Sequence, residues 1–431
     1  MISIWQETVP LPEFPSLEGD IKTDVLIIGG GIAGILCAYF LQQEGINYTL
    51  VEANKICTGV TGCTTAKITS QHGLIYSKIT KEFNLEKAQM YLKANENALK
   101  EFKELCKNIP CDFEEKNSYV FSDNKCKLEN ELNTLLKIGY KADFKKELPL
   151  PISTAGAIEF QNQAQFNPLK FINGICKGLN IYENTRIKEF DGKKFTYDKG
   201  SITADKTIVA THFPIFNKHG SYFLKMYQHR SYVLALDNAP DSNGMYVDDD
   251  KKGLSFRNYN GLLLLGGGSH RTGKKGGNWQ ELEDFASKHY NKSKILYRFA
   301  TQDCMTLDGV PYIGRYSEKL NDIFVATGFN KWGMTSSMVA AKILKDEVAG
   351  KNSEFSKVFD PSRTMLRMQL AVNGIESVCN LLSLSEKRCP HLGCALKWNP
   401  VEHSWDCPCH GSRFSHTGKL LNNPSNNDII I

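Results

Sequence analysis

No stretch of the 431-residue chain approaches the roughly 18 consecutive apolar residues that a membrane-crossing helix needs, so no membrane span is expected. The opening segment MISIWQETVPLPEFPSLEGD lacks the basic start and apolar run of a secretory leader, which points to the cytoplasm. Charge of one sign is missing too. The 52 Lys and Arg residues face 47 Asp and Glu, and a net charge of +5 is too mild to suggest nucleic acid or an anionic membrane as partner. Histidine is scarce, ten residues in all. Cysteine is not, but thirteen in a large cytoplasmic chain argue against a disulfide framework. Those up to Cys379 are scattered and read as small buried apolar residues. The last four crowd together with three histidines between residues 389 and 414.

At this length two or three domains are expected, and 41% apolar content suits an ordinary globular chain. The front of the chain, TDVLIIGGGIAGILCAYFLQQEGINYTLVEAN (23–54), has three parts in order. A short apolar strand, Val25 to Ile28, leads into Gly29, Gly31 and Gly34 of a G-x-G-x-x-G turn; an apolar-periodic helix follows, and then a second strand ends at Glu52. The first glycine makes the turn, the second lets a pyrophosphate approach the backbone, and the third lets helix and strand pack closely. Glu52 can accept hydrogen bonds from a ribose diol. In this context the motif reads as a dinucleotide cradle, but it does not separate FAD from NAD.

Later segments do so by resemblance. TGCTTAKITSQHG (61–73), TIVATHFP (207–214), TLDGVPYIGRY (306–316) and IFVATGFNKWGMTSSMVAAKIL (323–344) resemble the D-amino-acid oxidase/glycine oxidase superfamily of FAD enzymes. The likeness spans roughly residues 20 to 360. It implies a Rossmann-like α/β FAD-binding domain with an inserted α+β substrate domain built on an antiparallel sheet. It also implies FAD contacts at Gly29, Gly31, Ile32, Ala33, Gly34, Glu52 and Ala53. Further contacts fall at Thr65, Ala66 and Lys67 of the small-residue loop, and at Ile187, Ala210 and Thr211. Further along they fall at Gly328 and, at the last helix, at Gly333, Met334 and Thr335, and the amides of these last three would face the flavin pyrimidine. The FAD-binding parts are expected at about 20–82, 151–224 and 301–350, and the substrate domain at about 83–150 and 225–300, all within an oxidoreductase unit 1–361. The glycine-rich, basic GGGSHRTGKKGG (266–277) fails the Walker pattern and reads as a loop.

The tail has metal chemistry. Cys389-x-His391 and, after fifteen intervening residues, Cys407-x-x-His410 form two loops, each offering a thiolate and an imidazole. This resembles the Rieske pattern and implies a [2Fe–2S] cluster with Cys389 and Cys407 on one iron and His391 and His410 on the other. The same resemblance implies a disulfide between Cys394 and Cys409, and a Ser412 hydroxyl donating to a bridging sulfide. Structural zinc is the rival use of such loops.

Two departures stand out. Between Pro361 and Cys389 the chain is too short, and too helical in spacing, for the strands that normally precede a Rieske cluster. Residues 362–388 are therefore expected to be a linker, and 389–431 a truncated all-β Rieske-like module. After Phe414 only one or two strands are expected. The second departure is Asp303, where glycine-oxidase-like members place an arginine for the substrate carboxylate. Either Arg230, Arg257 or Arg271 takes that part, or the substrate end is cationic, or Asp303 is structural. Cys304 reads as a buried thiol, with a cysteine-linked flavin as the alternative.

The reading is an FAD-dependent oxidoreductase that dehydrogenates the C–N bond of an amine or amino acid and passes electrons through the cluster to an acceptor of unknown identity. No catalytic residue can be assigned; His72, Tyr232, His270, Asp303 and Lys331 are pocket candidates. The rival classes are a flavin/iron–sulfur electron carrier without substrate turnover, and a plain oxidase with a vestigial tail.

Overall fold

The strand Ile21–Ile28 sits inside an eight-stranded sheet because its last four residues are apolar and buried on both faces. It pairs in parallel with Tyr48–Val51 on one side and with Gly200–Val209 on the other. Leu320–Thr327 extends the parallel run, and Tyr312–Ser317 closes that edge antiparallel. The helices Ile32–Gln43 and Gly333–Val348 share the core over this sheet; Leu36, Ile35, Met338 and Leu344 are fully buried there. The coordinates are a computed structural model that describes residues 2–216, 219–250, 253–363 and 387–430.

A second sheet of nine strands stands beside the first. Toward one edge, Met226–Leu236 pairs antiparallel with Leu262–Arg271 and with the edge strand Ile295–Thr306. Alternation sends Tyr227, Ser231, Thr301, Asp303 and Met305 to the face that looks toward the dinucleotide turn, and Gln228, Arg230, Gln302 and Cys304 to the other. The expected inserted antiparallel sheet is therefore present. Two details differ from the sequence reading. Ala157–Gln165, placed with the FAD-binding parts, hydrogen-bonds into this second sheet against Glu114–Phe121. Residues 266–271, read as loop, form the end of a strand whose His270 and Arg271 pair with Arg230 and His229. Tertiary pairing overrides the glycine content there.

The C-terminal module is a four-stranded antiparallel sheet of Lys397–Asn399, Ser404–Asp406, Arg413–Ser415 and Leu420–Asn422. It is small and all-β, with a core of Leu396, Phe414 and the four cysteines. Most of the expected linker, 364–386, lies outside the described residues.

Candidate flavin cavity and cluster loops

The glycine turn has the geometry that a dinucleotide needs. Gly29 adopts φ +114°, and a Cβ there would meet the Ala210 carbonyl oxygen at 2.5 Å. A Cβ on Gly34 would lie 1.9 Å from the Gly29 oxygen, so the helix can cross the strand only without a side chain. Gly31 is different. Only the Thr61 hydroxyl comes near its virtual Cβ, at 3.4 Å, which leaves the approach open for a phosphate. The Glu52 carboxylate accepts from the Gly30 amide at 2.8 Å and from the Asn54 amide at 2.9 Å. Burial pushes its pKa up despite those bonds.

From this turn a cavity of about 880 Å3 runs between the two sheets. Gly29, Gly31, Ile32, Ala33, Glu52 and Ala53 line one end, with Ile187, Ala210 and Thr211 beside them. Thr65 and Lys67 line the wall, and Gly328, Gly333 and Met334 bring the positive end of the 16-residue helix Gly333–Val348 to it. Three expected contacts lie off the surface. Gly34 packs on Gly29, Ala66 is fully buried with its carbonyl accepting from Arg257, and the Thr335 hydroxyl is spent on the Thr69 carbonyl. Lys67 donates to Ser255 Oγ at 2.5 Å and to Thr65 Oγ1 at 3.3 Å; burial, helped by Arg257, brings it down to about 7.

Of the five pocket candidates, two present uncommitted charge. Asp303 and Lys331 both line the cavity. Burial pushes Asp303 up to about 6, while Lys331 and Arg230 pull the other way. Lys331 has its exposed surface on the cavity and donates to Ser269 Oγ at 3.2 Å. Ser269 in turn lies 3.0 Å from Ser231 Oγ. His72 lines the cavity but is engaged at both nitrogens: Nδ1 accepts from the Tyr91 hydroxyl at 2.6 Å, and Nε2 donates to the Thr69 carbonyl at 2.9 Å. Burial lowers it to about 3, so it is neutral. The Tyr232 hydroxyl lies 2.9 Å from His270 Nε2 and 2.9 Å from Glu402 Oε1, turned toward the C-terminal module; His270 is not on the cavity surface.

The sequence reading missed Thr301 and His229. Thr301 Oγ1 and His229 Nδ1 are buried without hydrogen-bond partners, on the strand pair that carries Asp303. Strand alternation around Asp303 was the signal that could have found them.

The arginines offered as carboxylate clamps are committed elsewhere. Arg230 forms a bidentate pair with Glu402 of the C-terminal module, both almost fully buried. Arg257 donates to the carbonyls of Thr65 and Ala66. Arg271 donates to the Cys409 carbonyl at 3.2 Å and lies over the Tyr227 ring. Cys304 is a buried thiol on the face opposite Asp303 and packs among Met226, Tyr312 and Val325, away from the cavity. That position does not favour a cysteine-linked flavin.

In the C-terminal module, Cys389, His391, Cys407 and His410 come together on two facing loops. The imidazole centroids are 4.9 Å apart at 83°. The His410 ring is buried with neither nitrogen in a well-formed hydrogen bond, the Phe223 backbone making only a loose contact with it, and burial holds it neutral, as iron ligation would require. The Cys389 thiol lies in hydrogen-bond reach of Cys407 and of the Ser412 hydroxyl. The Sγ atoms of Cys394, Cys407 and Cys409 lie within 4.8 Å of one another. Cys394 and Cys409 are thiols here, so the disulfide implied by the resemblance is not formed in this structure. This donor set fits a mixed cysteine/histidine cluster.

Comparison with known proteins agrees on the class. The FAD dependent oxidoreductase family model, DAO, matches residues 24–347, and the Rieske [2Fe-2S] domain model matches 351–430, which takes in the stretch read as linker. The chain belongs to the DAO family of FAD-dependent oxidoreductases and carries a C-terminal Rieske domain; its cofactors are FAD and a [2Fe–2S] cluster. A Bacillus subtilis (strain 168) protein, YhfW, which carries a Rieske 2Fe-2S iron-sulfur name, is 35% identical over 98% of this chain and 95% of its own. That alignment runs over 485 positions, more than this chain has, so YhfW contains segments missing here. Glycine oxidase from Geobacillus kaustophilus superposes with a TM-score of 0.67 at 17% identity, over 80% of this chain and 99% of its own. L-proline dehydrogenase from P. horikoshii gives 0.67 at 17%, over 81% and 98%. Both share the fold. No described helix is long and apolar enough to cross a membrane.

Proposed function

We propose that the protein dehydrogenates a C–N bond of an amine or amino acid in the cavity and that the electrons leave through the C-terminal cluster to an acceptor. The observation that carries this reading is the polar group of Asp303, Lys331, Ser231, Ser269 and Thr301 on the cavity face of the second sheet, across from the glycine turn. The solved relatives that share the fold are by name a glycine oxidase and an L-proline dehydrogenase, which act on such bonds. When bound, FAD supplies a two-electron acceptor and the cluster a one-electron carrier. The chain's own part is binding and orientation. Asp303 accepts hydrogen bonds from the substrate ammonium, and Lys331, held by Ser269, pairs with a carboxylate where the substrate has one. The C–H bond breaks with its electron pair, the N–H proton is released, and water hydrolyses the C=N product. The expected cofactor residues that line the cavity and those at the cluster keep their assignments in this reading, with His72, Tyr232 and His270 as supports for the walls. A cytoplasmic location and no nucleic-acid partner belong to the same reading.

The test is anaerobic mixing of the purified protein with a panel of amines and amino acids, followed at the flavin absorbance and by low-temperature EPR. Bleaching of the flavin, followed by a cluster signal, is expected. A flavin that no amine reduces would leave an electron carrier, and bleaching without a cluster signal would leave an oxidase with an idle tail.

A further inference from the structure

The C-terminal module does more than lie beside the cavity: Leu420, Leu421, Asn422, Asn423 and Asn426 form part of its wall. Asn423 is fastened there. Its Nδ2 donates to the carbonyls of Thr211 at 2.6 Å and Phe213 at 2.8 Å, directly after the strand that meets the glycine turn.

The same residue is tied to the cluster loop through two buried glutamines. Gln228 Nε2 donates to the Asn423 carbonyl at 2.9 Å and to the His410 carbonyl at 2.8 Å. Gln302 Nε2 donates to the Gly411 carbonyl at 2.8 Å and to Gln228 Oε1 at 2.6 Å. Each glutamine is 1% exposed. A second tie joins the two stretches inside the module, where the Ser425 amide donates to Ser412 Oγ at 3.0 Å. Gly411, at φ +87°, has no room for a Cβ, which would meet Gln228 Cβ at 2.5 Å. The loop that carries His410 and the segment that closes the cavity therefore share their hydrogen-bond donors.

We infer that cluster loading and flavin retention are thermodynamically linked through Gln228, Gln302 and Asn423, with the Rieske module acting as a wall of the flavin cavity; the inference rests on the cavity being the FAD site. Bound iron would take the lone pair of one nitrogen of the buried His410 ring. Without it, an imidazole with two orphaned nitrogens gains by moving toward water, because a buried polar group without a partner is costly. Movement of the His410 carbonyl would remove one arm of the Gln228 bridge, leaving that glutamine a looser donor to the Asn423 carbonyl, and the wall would loosen. Linkage is reciprocal, so bound FAD must hold the cluster loop by the same factor.

The experiment measures the FAD dissociation constant of the full-length protein with the cluster reconstituted and after its removal by chelator. Removal should weaken FAD binding about tenfold, equivalent to about 1.4 kcal/mol. In the reciprocal arm, chelator competition should show about tenfold weaker cluster retention in flavin-free protein than in flavin-loaded protein. Gln228→Leu should erase the difference, so that FAD affinity no longer depends on the cluster. Asn423→Ala should do the same and serves if the leucine variant does not fold. Equal FAD affinities with and without the cluster in the unaltered protein would overturn the linkage. Retention of flavin by Gly31→Trp would instead remove the cavity assignment beneath it, and the two failures are separately readable.

Discussion

The flavin cradle and the cluster loops are built in opposite ways. The cradle is written locally: strand, glycine turn, helix and second strand fall within residues 21–51, with Gly200–Val209 and Ala210 closing on the turn from outside. Among the described residues the cluster loops sit on strands of three residues each, too short to stiffen them alone. Their support comes from far away in sequence, from Gln228, Arg230, Tyr232 and Gln302 on the back of the substrate sheet. A site can thus be short of scaffold in its own segment and still be held, when another domain supplies the missing partners. The buried chain Arg230–Glu402–Arg413–Asp406 is the strongest such loan, since it joins the two units through desolvated charges. Charge pairing holds Glu402 below the usual carboxylate range although burial opposes it.

The comparison can be broken first at its local end. Gly31→Trp should abolish flavin binding outright, because the indole fills the pyrophosphate approach while the backbone has room for a Cβ. A colourless protein with native circular dichroism is the expected result. At the distant end, His410→Ala should remove the low-average-g EPR signal of the reduced cluster. The flavin should remain, bound more weakly as the linkage requires. Glu402→Ala should leave Arg230 buried and unpaired while Arg413 keeps Asp406, lowering stability by about 3–5 kcal/mol in denaturant titrations. If the module stood on its own strands, the loss would be confined to it and the flavin would not notice.

The smaller effects sharpen the substrate end. Asp303→Asn should weaken binding of a cationic amine by roughly ten- to a hundredfold, from a charge-assisted contact worth about 1.5–3 kcal/mol, and leave FAD affinity unchanged. Because burial raises Asp303 to about 6, it is neutral below that pH and charged above it. Amine affinity should therefore fall as pH drops through about 6, and the Asn variant should show no such step. Cys304→Ser should change least. Acid precipitation should release FAD from both the unaltered protein and the variant, since the thiol points away from the cavity.

How much could be read beforehand follows the same division. The glycine turn was legible because each glycine has a local reason: a positive φ at Gly29, contact with the Gly29 oxygen at Gly34 and open space at Gly31. The pairing of the two cluster loops was legible from spacing, since each loop supplies its own cysteine and histidine. The end of the strand Leu262–Arg271 was not legible, because its glycines speak for a loop and only pairing with Met226–Leu236 makes it extended. Nor was the fate of Arg230, whose partner Glu402 lies 172 residues away.

By itself, then, the amino-acid sequence determined the kinds of chemistry present: an α/β dinucleotide cradle at one end and a cysteine/histidine iron site at the other, each written in residues close along the chain. Tertiary structure alone decided that the two are neighbours. Strand alternation in Met226–Leu236 and Ile295–Thr306 sends Asp303 to the cavity and Gln228 and Gln302 to the cluster loop, and so one sheet serves both sites. No local pattern encodes this, because which face of a strand meets which partner depends on register and packing between segments 109 to 182 residues apart.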